Sequence, residues 1–77
     1  MTGPTSLKLT VKLTVNGEVE TFKANTVLAL LAAKDIDSQM RGIAVALNDS
    51  VVPRSAWAET TLTDGDRIEI VKPYRGG

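Results

Sequence analysis

Residues 7–17, LKLTVKLTVNG, are the stretch that decides the fold. Leucine or valine occupies every second position, and this period of two predicts a strand with one buried face. Asn16 and Gly17 follow directly, and they are residue types that tolerate the positive φ angles of a type I′ turn. Strand and turn together predict a β-hairpin that returns over residues 18–23. In the returning strand we expect Phe22 to point inward.

A helix is predicted to follow this hairpin. Asn25 or Thr26 can cap its amino terminus, because either side chain can accept a hydrogen bond from a free backbone N–H. We favour Thr26. Val27, Leu30 and Leu31 have the spacing of one helix face, which predicts that they pack on the sheet. Residues 35–41 are polar and predict a loop.

Two short strands are predicted next. Large and small apolar residues alternate over residues 43–47, so we expect Ala44 and Ala46 to face outward. A turn is predicted at residues 48–50. The strand that follows, Val51-Val52, is short. Pro53 cannot donate a ladder hydrogen bond, so it is expected at the end of this strand or on an edge of the sheet.

The last strand follows an Asp-Gly-Asp sequence at residues 64–66. We interpret these aspartates as a tight turn bent at the glycine rather than as a metal site. Ile68 and Ile70 are expected to point inward, and Val71 is expected to share the outward face with the two alanines. Pro73 ends the strand. This order of elements predicts an α+β fold, with a mixed sheet of four to five strands and one packed helix.

Composition narrows the class of protein. With 77 residues and 43% hydrophobic content, the chain can form one small domain. Such a domain buries only about 60% of its unfolded surface, which leaves little room for an enclosed substrate pocket. Nine basic and nine acidic residues give a formal net charge of zero, without the basic stripe of a nucleic-acid-binding protein. The sequence has no membrane-length apolar run and no signal peptide, which predicts a cytoplasmic location. The sequence does not fix the oligomeric state, and we take a monomer as the default.

The chain contains neither cysteine nor histidine. The fold therefore has no disulfides and no thiol nucleophile. It also lacks histidine, which is the commonest general base and the commonest metal ligand. An independent hydrolase or metalloenzyme is disfavoured, and we expect no bound cofactor or metal.

Several motifs occur together at fixed spacings, most of them in the second half. They are Ile43-Ala-Val-Ala-Leu-Asn48, Val52-Pro53-Arg54, Trp57, Leu62, Asp64-Gly65-Asp66, Ile68-Glu-Ile-Val71 and Gly76-Gly77. With the hairpin Val15-Asn-Gly-Glu18 and the helix start at residues 26–31, this combination resembles the thiamine-biosynthesis sulfur carrier family, ThiS. The resemblance covers the chain after Ser6.

The resemblance implies a β-grasp fold, as in ubiquitin, over residues 7–73, with a flexible functional tail at 74–77. Residues 1–6 are small, polar or Gly/Pro residues in the main, which predicts a disordered leader. The resemblance also implies a cycle in which an ATP-dependent, E1-like enzyme adenylates the Gly77 carboxylate. Sulfur from a cysteine desulfurase route then replaces the adenylate, and the thiocarboxylate donates this sulfur to thiazole synthase. The protein would be a co-substrate and not an enzyme, with ATP used by the activating enzyme.

The tail suits this chemistry. Glycine has no Cβ, so Gly76 and Gly77 can enter a narrow channel in a partner enzyme. Tyr74 and Arg75 are expected to contact partners, because tyrosine and arginine are favoured interface residues. They also depart from the residues usual in the family, and the Tyr-Arg-Gly-Gly ending is slightly similar to that of ubiquitin.

Five other residues are expected to matter for docking or packing. Ala44, Ala46 and Val71 are predicted to form an exposed apolar patch that docks the activating enzyme. Trp57 is expected in the core. Arg54 is expected to have a structural role, for example in an ion pair.

Three alternatives stay open at the level of the sequence. The chain could carry sulfur for another pathway, such as molybdopterin, cysteine or a specialised metabolite. It could be a ubiquitin-like modifier that joins Gly77 to lysines. It could also be a passive binding module in which the two final glycines do nothing.

Overall fold

A computed structural model describes residues 10–73. Its elements, in chain order, are β1 (Val11–Val15), β2 (Glu18–Phe22), α1 (Val27–Ala33), β3 (Ala44–Leu47), β4 (Ser50–Val52), a 3₁₀ turn (Arg54–Ala56) and β5 (Arg67–Val71). The five strands form one sheet in the order β2-β1-β5-β3-β4. The β1–β5 pair is parallel and the other pairs are antiparallel. The predicted α+β architecture, a mixed sheet with one helix, is confirmed.

The first hairpin forms as predicted. Asn16 and Gly17 have φ angles of 51° and 86°, and Val15 lies opposite Glu18 across the turn. The apolar side chains of β1 are buried, and Phe22 packs partly buried against the core. The first part of the predicted strand, before residue 10, lies outside the described residues.

The helix also begins where the sequence predicts. The Thr26 hydroxyl oxygen accepts a hydrogen bond from the backbone N–H of Ala29 at 3.1 Å. Val27, Leu30 and Leu31 have no accessible surface and lie in the core. Burying each such side chain contributes roughly 1.5–3 kcal/mol, so this helix is held mainly by packing on the sheet.

Two details differ from the predictions. The second hairpin turn is shorter than residues 48–50, because Asn48 and Asp49 alone adopt positive φ and Ser50 already pairs in β4. The loop at residues 35–41 is not polar throughout, since Ile36 is buried in the core. A single apolar residue in a polar segment has no periodicity, so its burial was not visible in the sequence.

Candidate functional site

The strand that leads to the candidate tail is the central strand of the sheet. β5 lies between β1 and β3, and only Lys72 and Pro73 separate it from residues 74–77. Ile68 and Ile70 point into the core, while Arg67, Glu69 and Val71 are exposed, as predicted. The tail residues Tyr74, Arg75, Gly76 and Gly77 lie outside the described residues.

Both hairpin turns bind β5 through an asparagine side chain. Asn16 accepts a hydrogen bond from the Ile70 N–H at 2.8 Å and donates one to the Ile70 carbonyl at 3.2 Å. On the other side, Asn48 accepts a hydrogen bond from the Arg67 N–H at 2.8 Å. The amide of Asn48 donates to the carboxylate of Asp66 at 3.0 Å. Our sequence analysis missed these contacts, although an asparagine at the first position of each turn was a visible signal.

The Asp-Gly-Asp sequence forms the predicted turn. Gly65 has a φ of 90°, and the carboxylate of Asp66 accepts a hydrogen bond from the Thr63 N–H at 2.9 Å. Asp64 accepts one from the Lys12 N–H at 2.8 Å, which ties the turn to β1. Among residues 10–73, no group of three or more His, Cys, Asp and Glu could hold a metal ion. The carboxylates of Asp64 and Asp66 accept hydrogen bonds that hold this turn in place.

Beyond the end of β5, Pro73 packs against a glycine, Gly42. Pro73 is half-buried, and a Cβ atom built on Gly42 would lie 3.1 Å from the Cβ and 3.3 Å from the Cγ of Pro73. Gly42 itself has a φ of 87°. The proline that precedes the candidate tail therefore packs closely against the position that a side chain on residue 42 would occupy.

The outward orientation predicted for the two alanines and Val71 is confirmed. Ala44 lies opposite Val71, and Ala46 lies between Glu69 and Val51. Val71 and Val51 are 61% and 77% exposed. We call Ala44, Ala46, Val51 and Val71 the apolar patch. Ala44 and Val71 lie at the end of β5 that leads to residues 74–77.

Val51 is a member of this patch that our sequence analysis did not single out. The buried neighbour Val52 could have revealed it, because successive strand residues face opposite sides of a sheet. Glu69 lies between the apolar side chains on the same face.

Trp57 and Arg54 form a structural pair. Trp57 is buried in the core as predicted, and its indole N–H donates to the Val52 carbonyl at 2.9 Å. The Arg54 guanidinium stacks 4.6 Å from the centre of the indole ring. It also donates hydrogen bonds to the carbonyl oxygens of Ser38 and Met40, the latter at 2.7 Å. Arg54 thus has the expected structural role, and within residues 10–73 it acts through carbonyl oxygens and an aromatic ring rather than an ion pair.

None of the helices in the described part of the chain is long and apolar enough to cross a membrane.

Comparison with known proteins gives consistent matches. The family model described as "ThiS family" matches residues 13–77. A thiazole synthase of Paramagnetospirillum magneticum is 44% identical over 68 residues, which are 87% of this chain and 20% of that protein. The chain thus spans about a fifth of that relative's length. The sulfur carrier protein ThiS of Escherichia coli is 36% identical over 44 residues, 57% of this chain and 67% of that protein.

A solved structure has the same architecture. The crystal structure of the thiamine biosynthesis protein ThiS from Geobacter metallireducens matches with a TM-score of 0.71 and 36% sequence identity. The match covers 87% of this chain and all of that chain. With the family match, this similarity confirms the predicted β-grasp fold.

Proposed function

The chain belongs to the ThiS family, and on that premise we propose that it carries sulfur for thiamine biosynthesis on the carboxylate of Gly77. The observation that carries this proposal is the extent of the family match, which runs to residue 77 and includes both tail glycines. The names of the relatives, a sulfur carrier and a thiamine biosynthesis protein, support the same role.

The proposed chemistry modifies the carboxylate of Gly77 in two steps. First, a carboxylate oxygen of Gly77 attacks the α-phosphate of ATP on an activating enzyme, which forms an acyl adenylate and releases pyrophosphate. Next, a hydrosulfide ion attacks the acyl carbon and expels AMP. A thiol reductant releases this hydrosulfide from the persulfide of a cysteine desulfurase and is itself oxidised to a disulfide. The product is a thiocarboxylate, in which one sulfur has replaced one oxygen. Adenylation is needed because a free carboxylate has no adequate leaving group.

In this scheme the protein is a substrate of its partners and not a catalyst. The chain has no cysteine or histidine to act as a nucleophile or general base. The carboxylate of Asp66 holds the turn before β5 through Thr63 and Asn48. The activating enzyme would therefore supply the catalytic groups and bind the ATP.

We propose that the apolar patch, together with Tyr74 and Arg75, contacts the activating enzyme. The patch member Val71 is exposed and is the last residue of β5, the strand that precedes the tail in the sequence. A partner that covers the patch would bury apolar surface and would receive the tail at its own active site. Gly76 would allow the tail to pass a narrow entrance, because it has no Cβ.

Thiazole synthase is the proposed recipient of the sulfur. In the Paramagnetospirillum magneticum relative, a segment similar to this chain makes up a fifth of a protein named thiazole synthase. A segment similar to this chain thus occurs within a protein named thiazole synthase, which supports a functional association between the carrier and the synthase. We further propose that the protein acts in the cytoplasm as a monomer, without nucleic acid or membrane partners.

The test is the intact mass of the protein after co-expression with an E1-like activating enzyme and a cysteine desulfurase. We expect a mass gain equal to the replacement of one oxygen atom by sulfur. Deletion of Gly77 should abolish the gain, whereas Gly65→Ala, in the turn at the opposite end of β5 from the tail, should retain it. Addition of thiazole synthase and its substrates should then remove the sulfur.

Other results would contradict the proposal. An unchanged mass, with an activating enzyme that modifies its own carrier in the same cells, would exclude sulfur transfer through that enzyme. Conjugates joined through lysine side chains would indicate a protein modifier instead. A thiocarboxylate that thiazole synthase cannot consume would move the proposal to another sulfur-accepting pathway.

A further inference from the structure

Gly42 and Pro73 face each other beyond the end of a strand pair. β3 and β5 are antiparallel, and the last residues paired at this end are Ala44 and Val71. Continuing the register by two residues on each strand brings Gly42 opposite Pro73. Proline has no N–H to continue the ladder, so packing of its ring replaces hydrogen bonding at this point.

A side chain on residue 42 would crowd the ring of Pro73. A Cβ atom there would lie 3.1, 3.3 and 3.6 Å from three carbons of the Pro73 side chain. Contacts of 3.1 and 3.3 Å are closer than ordinary van der Waals packing, so one partner has to move. Gly42 is the more restrained of the two, because Ile43 is buried and Arg54 holds the preceding loop at Met40. Pro73 would therefore be displaced.

The positive φ angle is not the only reason for a glycine at position 42. Gly17 and Gly65 have nearly the same φ as Gly42, 86° and 90° against 87°. A Cβ atom on either of them would meet nothing within 4 Å. All three glycines avoid the same backbone strain, but only Gly42 also makes room for another residue.

We propose that Gly42 is a positioning residue, whose missing side chain lets Pro73 pack against it and so sets the direction in which residues 74–77 leave the sheet. The inference rests on the proposed function, since it takes Gly77 as the reacting residue. Reaction rates fall steeply when a reacting group is displaced by as little as about 1 Å. The contact would thus act on the rate at which an activating enzyme modifies Gly77.

The test compares Gly42→Ala with Gly17→Ala and Gly65→Ala. All three carry the cost of a Cβ at positive φ, and urea unfolding measures that cost. We expect Gly42→Ala to lower the rate of thiocarboxylate formation at saturating carrier by roughly threefold to tenfold. The two controls should keep the wild-type rate. In a Pro73→Gly background, Gly42→Ala should have no further effect on the rate, because the ring is gone.

Two further measurements keep the inference testable. If Gly42→Ala does not fold, Gly42→Asn and Gly65→Asn take the place of Gly42→Ala and Gly65→Ala, because asparagine tolerates positive φ. NMR of the isolated protein should show a nuclear Overhauser contact between Gly42 Hα and the Pro73 ring. The Gly42 variant, unlike the Gly65 variant, should shift the amide signals of Tyr74 and Arg75.

Each result decides one question. Equal rates for the Gly42 and Gly65 variants, or an undiminished Gly42→Ala effect in the Pro73→Gly background, would overturn the inference. Failure of the wild-type protein to accept sulfur would instead contradict the proposed function. In that case the amide shifts alone decide whether Gly42 directs the chain, and unchanged shifts would overturn it.

Discussion

The side chain of Asn16 bonds to both backbone polar groups of Ile70, as a neighbouring strand residue would. Main-chain pairing of β1 with β5 ends when the Asn16 N–H donates to the Ile68 carbonyl at 2.9 Å. The Asn16 amide then binds the Ile70 N–H and carbonyl, at 2.8 and 3.2 Å. One residue thus turns the chain toward β2 and extends the pairing on β5, close to the start of the tail.

Replacement of Asn16 by glycine should separate these two roles. Glycine accepts the φ of 51° at this position, so the turn should still form. Both hydrogen bonds to Ile70 would be lost, and its N–H and carbonyl would need new partners. We expect the free energy of unfolding to fall by about 1–3 kcal/mol, measured by urea denaturation.

Asp49→Gly is the matched control for that change. Asp49 also has positive φ in a hairpin turn, but its carboxylate pairs with the exposed guanidinium of Arg67 at 2.7 Å. Exposed ion pairs contribute little, so we expect a change below about 0.5 kcal/mol. Equal losses in the two glycine variants would contradict a special role for the Asn16 side chain.

The cap of α1 predicts a difference between two substitutions of Thr26. Thr26→Ala removes the acceptor for the Ala29 N–H and should destabilise the protein by about 1 kcal/mol. Thr26→Ser keeps the hydroxyl and should retain most of the stability. Thermal and urea unfolding, followed by circular dichroism, would measure both. A serine variant as unstable as the alanine variant would show that the methyl group matters more than the cap.

Arg54 should not be replaceable by lysine. The guanidinium stacks on Trp57 and donates to two loop carbonyls, and an ammonium group cannot reproduce this planar arrangement. We expect Arg54→Lys to lower the free energy of unfolding by about 1 kcal/mol. Arg67→Lys, at the exposed ion pair with Asp49, should change it by less than about 0.5 kcal/mol. Similar values for the two variants would argue against the Arg54 contacts.

The apolar patch can be tested with two valines of equal exposure. Val71 and Val19 are both 61% exposed, but Val71 lies on the central strand in the patch and Val19 lies on the edge strand β2. Val71→Asp should weaken binding of the carrier to the activating enzyme and raise its KM about tenfold or more, because a charge would be buried at the interface. Val19→Asp should leave KM unchanged. The same KM for both variants would place the docking surface elsewhere.

Much of the fold could be predicted because its signals are local. The Asn-Gly turn, the threonine cap and the alternation in β1, β3 and β5 each depend on residues adjacent or nearly adjacent in sequence. The same alternation implied that Val51 faces outward. Ile36 could not be predicted, because its burial depends on the surface against which its loop folds.

The sequence by itself determined the local elements, the family and the chemistry expected at Gly77, since these depend on side-chain type, on short spacings and on preferred backbone angles. The tertiary structure decided which elements meet. It made β5 the central strand, joined Asn16 to Ile70 across 54 positions of sequence, and packed Pro73 on Gly42. Such contacts depend on how distant surfaces fit together in three dimensions, and no periodicity or turn motif encodes that fit.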